Sequence, residues 1–293
     1  MKSYIKIIVE DKFFSIYDTL SCGQIFRYKK HQDGYLVFSL DKCAYCYNVD
    51  GNAVIECEEN DKAYFENFFD LNKDYETIYN FTQNCGNQFV SSCAKLGKGI
   101  RILKQDRFEN LISFIISQNN NIPRIKGNIE KLCLLGEVKT FKNITYNAFP
   151  TIELLKNMDI NYFYSIGLGY RAKYIKNLVD TPKLYERLIE LEKLDTISLR
   201  QELLKIYGVG EKVADCVMFF GFSKSDSFPV DTWIEKVYKQ NFSGTLKDRK
   251  QISNWFVSRF KKYSGYVQQY LFHFKRNTEN NERGKNNVNK TEL

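Results

Sequence analysis

The run from Ile206 to Gly221, with Gly208-Val209-Gly210 near its start, constrains this chain more than any other stretch. Two glycines within three residues free the backbone for an abrupt reversal. Helical patterns lie on either side, so the run predicts a helix, a tight turn and a second helix. Leu199, Leu203, Leu204 and Ile206 give the first helix an apolar side, and Ser198-x-x-Gln201 is a capping box that would open it. The second helix starts at about Glu211. Val213, Val217 and Phe220 lie on one side of it, and Lys212 and Cys216, four residues apart, share another. Its first turn offers unpaired N–H groups and a positive dipole end, which suit a phosphate.

A lysine in that first turn is unusual, because cations are favoured at helix C-termini. The dipole and any burial favour the neutral amine, which is a nucleophile. Alone, the segment fits a surface Lys after a glycine turn equally well. A second segment follows. Pro229 stops what precedes it, and Asp231 stands where another helix begins. Asp231 is an N-cap candidate. Thr232 is a rival cap, because Thr232-x-x-Glu235 is itself a capping box.

The rest of the chain divides by pattern. Residues 1–60 read mostly as strands, with β-rich runs at 35–40, 44–49 and 53–57 and hairpin signals at Asp33-Gly34 and Asp50-Gly51. They imply a twisted antiparallel sheet. Residues 13–20 and 23–27 interrupt it as helix or loop, and from Lys62 the pattern turns helical. Residues 96–276 read as helix after helix. Asp106-x-x-Glu109 caps one with Phe108, Leu111, Ile112 and Ile115 as its core stripe. Asn119-Asn120-Asn121 breaks it, and 122–135 restarts with Pro123 in the first turn. Pro150-Thr151 opens another, Gly167 to Gly169 ends a segment, and Tyr170 begins the next. The last helix runs from Gly265 to Arg276. The expected fold is α+β: an antiparallel β-sheet domain with flanking helices at 1–95, then a helical domain at 96–276. A polar tail at 277–293 reads as disordered.

The net charge of +8 fits an anionic partner such as nucleic acid. Three basic and three acidic side chains cancel in the tail, so the surplus belongs to residues 1–276. The first residues are too short an apolar run for a signal peptide, and no stretch reaches transmembrane length. The expected setting is reducing and cytoplasmic, with free thiols. Of eight cysteines, Cys43-x-x-Cys46 is the only close pair. A zinc site from Cys22, Cys43, Cys46 and His31 is conceivable, but the periodicity favours plain strand residues.

Taken together, the phrases resemble the 8-oxoguanine DNA glycosylase/AP lyases of the helix-hairpin-helix glycosylase superfamily. The matching phrases run from Ser21 to Tyr28, from Ser117 to Ile125, from Leu168 to Ala172, from Gly208 to Cys216 and from Pro229 to Asp231. They occur in family order between about residue 20 and residue 275. Each is weak alone, and five in register are specific.

The resemblance implies a bifunctional repair enzyme that flips 8-oxoguanine out of duplex DNA, excises it opposite cytosine and nicks the abasic strand. Lys212 would attack C1′ and form a Schiff base, with Asp231 ionised beside it. The carbonyl of Gly23 would accept the N7–H that 8-oxoguanine has and guanine lacks. Phe272 and Cys216 would sandwich the base, and Gln268 would read its Watson–Crick edge. Asn119, Arg124 and Arg171 would fill the gap and bond the orphaned cytosine, while Tyr170 would wedge into the stack. The amides of Gly208, Val209 and Gly210 would hold a phosphate, with a monovalent cation as an optional part of that grip. Lacking the family, these residues read as core, caps or surface charges. No Cys follows Cys216, so the iron–sulfur loop of some relatives is not expected.

The expected partner is double-stranded DNA bearing 8-oxoguanine, met by a monomer associated with the nucleoid, with no membrane. Trp233 departs from the family pattern, which has His two residues after the Asp, and this puts one phosphate contact in doubt. Tyr28 replaces a common Trp. Two rivals remain: a glycosylase of the same superfamily for another damaged base, and a non-catalytic DNA-binding module. Lys212 argues against monofunctional alkylpurine enzymes, the missing cluster cysteines against oxidised-pyrimidine enzymes, and the Lys212 and Asp231 pair against a decayed module.

Overall fold

Five strands form an antiparallel sheet: β1 (Tyr4–Glu10), β2 (Tyr28–His31), β3 (Gly34–Ser39), β4 (Lys42–Val49) and β5 (Asn52–Glu58), in the order β1-β5-β4-β3-β2. This is a computed structural model that describes the backbone of residues 2–291 and the side chains of residues 2–278. The second turn falls at Asp50-Gly51 as expected. The first is shifted by one: Gly34 pairs with His31 inside the ladder, and Gln32-Asp33 makes the turn.

Alternation along the strands gives the sheet two apolar faces. The inner face, with Val37, Ala44, Cys46 and Ile55, packs on Ile16 and Leu20 of α1 (Ile16–Ser21) and on Phe65 and Phe68 of α2 (Lys62–Phe68). The outer face, with Leu36, Cys43, Phe38 and Tyr45, is covered by Phe141, Ile144 and Tyr146. Cys43 and Cys46 therefore belong to opposite faces and Cys22 to the helical core, which separates the conceivable zinc ligands. Among the described residues no group of His, Cys, Asp and Glu is placed to hold a metal ion.

The cover of the outer face is itself a correction. Residues 96–276 are not all helix, because β6 (Val138–Phe141) and β7 (Ile144–Asn147) form a hairpin. Their few apolar side chains gain burial only against the first sheet, as in the edge-on contact of Tyr4 with Phe141 at 5.3 Å between ring centroids.

The helices are α3 (Tyr75–Asn84), α4 (Gln88–Leu96), α5 (Arg107–Ser117), α6 (Ile122–Cys133), α7 (Ile152–Lys156), α8 (Ile160–Ser165), α9 (Arg171–Val179) and α10 (Leu184–Leu191). Then come α11 (Thr196–Leu204), α12 (Glu211–Phe220), α13 (Thr232–Asn241), α14 (Arg249–Phe260) and α15 (Ser264–Thr291). Asn277 and Thr278 continue α15, and Thr278 Oγ1 donates to the Phe274 carbonyl at 2.9 Å, so the expected disorder does not begin at 277. The rest of the expected tail lies outside the described side chains.

Asp106 caps α5 as expected, accepting the Phe108 and Glu109 amides at 2.9 Å each. Glu109 does not complete a capping box. Its carboxylate lies 3.2 Å from Arg27 Nη1 and accepts the Leu40 amide at 2.6 Å. Arg27 also donates to the Asn147 carbonyl at 2.8 Å, so one buried ion pair ties sheet, hairpin and helices together. Losing one partner of such a pair costs about 3–5 kcal/mol. Ser198 does not cap α11. Asp195 does, accepting the amides of Ile197 at 2.9 Å and Ser198 at 3.0 Å, while Ser198 Oγ donates to it at 2.7 Å.

Candidate active site

The reversal between α11 and α12 places the first functional group. Gly208 has φ +87°, and a Cβ there would meet the Tyr174 ring at 2.2 Å, so only glycine makes this turn. The Val209 amide donates back to the Ile206 carbonyl at 3.0 Å, and Gln118 Nε2 donates to the Gly208 carbonyl at 2.9 Å. Gly210 is the N-cap of α12 and brings no side-chain cap, so the first-turn amides lack intrahelical partners. Arg200 of α11 holds the two helices together through Glu211 and, at 2.7 Å, Asp215.

Lys212 leaves that first turn toward α5, with Nζ 4.9 Å from the Phe114 ring centroid. One turn later comes Cys216, buried at 4 % exposure. Burial pushes its thiol up to about 11, against the opposing pull of Lys212, so it is a neutral contact surface at neutral pH. Asp231 caps α13, accepting the amides of Trp233 and Ile234 at 2.9 Å each. Thr232 is therefore not the cap. Asp231 also opens on the cavity that Lys212 faces, so its cap role and its position at the site coexist.

That cavity gathers distant segments. Gly23, Phe114, Lys212, Cys216, Asp231, Gln268 and Phe272 all line it. All four residues expected in a base pocket, and both expected at the chemistry, are thus brought together. Gly23 has φ +89°, and a Cβ there would stand 3.1 Å from Phe272, so the ring lies directly on this glycine. Gln268 is buried, and its Oε1 has no partner among the described residues. A buried acceptor left unpaired costs about 1–3 kcal/mol, a cost offset by a ligand that donates to it. The cavity holds about 40 Å³ of open space.

A second group lies beyond α5. Asn119 is exposed with φ +45°, and Asn121 rather than Asn119 caps α6. Tyr170 is exposed, and its Oη reaches the Gln118 carbonyl at 3.3 Å. Arg171 is buried at 3 % exposure. Its Nε donates to the Gln118 carbonyl at 2.8 Å, Nη2 to Asn119 at 2.9 Å and Nη1 to Leu168 at 3.2 Å. Arg124 is exposed, with Nη2 3.4 Å from the Gly167 carbonyl. The group is assembled, but Arg171 spends its donors on its own chain. Trp233, at the position that departs from the family pattern, has Lys236 Nζ 5.5 Å from its ring.

Sequence reasoning missed Phe114, Gln118 and Gln269. Phe114 stacks on Phe220 at 5.6 Å and reads from sequence as plain core. Gln118 lies in the stretch from Ser117 to Ile125, where the sequence alone suggests no role for it. Among the described residues no helix is long and apolar enough to cross a membrane.

Residues 6–111 match the family model for the 8-oxoguanine DNA glycosylase N-terminal domain. A probable N-glycosylase/DNA lyase of Methanothermobacter thermautotrophicus is 30% identical over 235 residues, which are 72% of this chain and 73% of that protein. N-glycosylase/DNA lyase OGG1 of Arabidopsis thaliana is 31% identical over 188 residues, 60% of this chain and 52% of the plant protein, so this chain spans about half of it. The Clostridium acetobutylicum 8-oxoguanine glycosylase/lyase, solved with double-stranded DNA containing cytosine opposite 8-oxoG, superposes with TM-score 0.88 at 33% identity, covering 95% of this chain and 98% of that one.

Proposed function

The chain belongs to the 8-oxoguanine DNA glycosylase family, and from that premise we propose that it excises 8-oxoguanine opposite cytosine and nicks the resulting abasic strand. One observation carries the assignment of roles. Lys212 and Asp231 open on the same cavity as Gly23, Cys216, Gln268 and Phe272, so a nucleophile faces a slot with the edges of a purine reader.

Lys212 Nζ attacks C1′ of the flipped nucleotide as the bond from C1′ to the base breaks, and the base leaves with the electron pair and takes up a proton. The amine gives up one proton, and the sugar ring opens as O4′ leaves with the electron pair of its bond to C1′ and takes up a proton, giving a protonated Schiff base between Nζ and C1′. Loss of a C2′ proton then expels the 3′ phosphate by β-elimination. The Asp231 carboxylate offsets the positive charge that develops on the sugar. Closing and breaking these bonds needs no redox group, because the protonated imine is the electron sink.

Gly23 supplies the acceptor for N7–H, Gln268 reads the Watson–Crick edge, and Cys216 and Phe272 sandwich the ring. A single hydrogen-bond difference in a dry site discriminates strongly. Asn119, Arg124, Tyr170 and Arg171 serve the gap and the opposite cytosine. The Val209 amide, expected in the phosphate grip, is taken by the Ile206 carbonyl, so the grip falls to the amides of Gly208 and Gly210 with the uncapped first turn of α12. The Ile206 and Gly208 carbonyls already accept hydrogen bonds, so a monovalent cation at the hairpin would share their remaining lone pairs. A monomer working on chromosomal DNA completes this reading.

Borohydride trapping tests the assignment. Duplexes carrying 8-oxoguanine, an alkylated purine, an oxidised pyrimidine or undamaged guanine are offered in parallel. A trapped adduct with 8-oxoguanine opposite cytosine, and none with guanine, is expected. An adduct only with another lesion would move the chain to a different specificity. No adduct with any duplex would overturn the Lys212 chemistry and leave a monofunctional glycosylase or a binding module, which base release then separates.

A further inference from the structure

We infer that Gln269 is a positioning residue for lesion discrimination, fixing the loop whose Gly23 carbonyl reads N7–H, with Arg276 as its second tie. This rests on the base-pocket reading above. Glycine is the least restricted residue, so the sterics of Gly23 do not decide where its carbonyl points. Its neighbours decide. Gln269, 2 % exposed, donates from Nε2 to the Cys22 carbonyl at 2.9 Å. Arg276 Nη1 donates to the Ser21 carbonyl at 2.7 Å. Gln105 Nε2 donates to the Gln24 carbonyl at 2.7 Å. The Gln24 side chain is itself anchored, donating to Thr19 at 2.9 Å and Arg101 at 2.8 Å and accepting from the Leu103 amide at 2.8 Å. The carbonyls of Ser21, Cys22 and Gln24 are thus all held. Among the described residues, no hydrogen bond reaches that of Gly23.

The ties come from one helix face. Positions 269, 272 and 276 are spaced i, i+3 and i+7, so Gln269 and Arg276 flank the Phe272 ring that lies on Gly23. What they prevent is specific. Turning over the peptide between Gly23 and Gln24 would swap a carbonyl for an N–H at the base. A carbonyl favours the N7–H of 8-oxoguanine, whereas an N–H favours the bare N7 of guanine. A loosened loop would therefore erode the preference from both sides.

The test measures affinity for duplexes with 8-oxoguanine or guanine opposite cytosine, in a Lys212→Gln background so that no turnover occurs. Gln269→Met, close in size, should lower the ratio of the two affinities about tenfold, the worth of roughly one hydrogen bond. Arg276→Met should lower it by a smaller factor, and it carries the test if Gln269→Met does not fold. A ratio unchanged in both variants overturns the inference and leaves the pocket reading standing. Equal binding of the two duplexes before either change overturns the pocket reading, and the inference with it.

Discussion

Gln268 and Arg171 are both long, polar and buried, and both face groups that DNA would supply, yet the protein treats them oppositely. Gln268 keeps an acceptor unpaired at the pocket, beside a glycine carbonyl that no described group takes. Arg171 has its donors on three carbonyls of its own chain. The pocket side stands prepared at a cost in stability, and binding returns that cost. The Arg171 side is satisfied when alone, so a cytosine bound there as proposed would have to exchange hydrogen bond for hydrogen bond. On the proposed roles, recognition of the lesion would draw on preorganisation, and recognition of its partner on a switch of partners.

The largest expected effect removes chemistry while leaving both sides in place. Lys212→Gln should bind lesion duplex and give trapped adduct at background level. Adduct of normal yield would mean that another amine does the work. Next comes the pocket alone. Cys216→Leu should cut 8-oxoguanine excision about 10- to 100-fold, the equivalent of 1–3 kcal/mol of overpacking, while Cys216→Ala only weakens it. Nicking of a pre-formed abasic site should survive both. If Leu abolishes both activities with the fold intact, Cys216 does not touch the base.

The opposite-strand side separates its two arginines. Replacing either Arg124 or Arg171 with Ala should flatten excision rates across the four opposite bases. Only Arg171→Ala should also lower stability in denaturant unfolding, by about 1–3 kcal/mol, because it strands buried carbonyls. Arg124→Ala should stay within about 0.5 kcal/mol. Equal losses in both would erase the contrast between a buried arginine with three carbonyl partners and an exposed one with a single long contact.

The smallest effect on activity is expected at Asp215, which precedes Cys216 but turns toward Arg200. Burial, opposed by Arg200, raises its carboxyl from 3.8 to about 6. The folded state therefore holds this proton more tightly than the unfolded chain. Its contribution to stability is most favourable below pH 4, declines as pH rises toward 6 and is level above. Asp215→Asn should remove that slope and leave the preference for the lesion untouched. A changed preference would show that α12 as a whole, rather than the pocket face, sets it.

Local rules made much of this readable. The glycine turn, the start of α12, the Asp106 cap and the strands of the first sheet follow from neighbours in sequence. Where two local rules competed, the sequence could not arbitrate. Asp195 and Ser198 can both cap, and the carboxylate wins by taking two amides and the hydroxyl. Glu109 had a local partner available and went to Arg27, 82 residues away. Strands β6 and β7 carry too few apolar residues to be seen without the face they cover. The Lys212 and Asp231 pairing came through family resemblance. Gln269 had no such signal, because its partner stands 247 residues upstream.

That distance bears on how the protein is made. Lys212 leaves the ribosome well before α15, so for a time the chain holds its reactive amine without a reader. Yet α15 also packs on α4 and α13, and its Val267, Tyr270 and Leu271 complete the common core. A product cut short before residue 264 would lack that part of the core along with the proposed reader. The proposed discrimination and the packing of the core thus depend on the same helix.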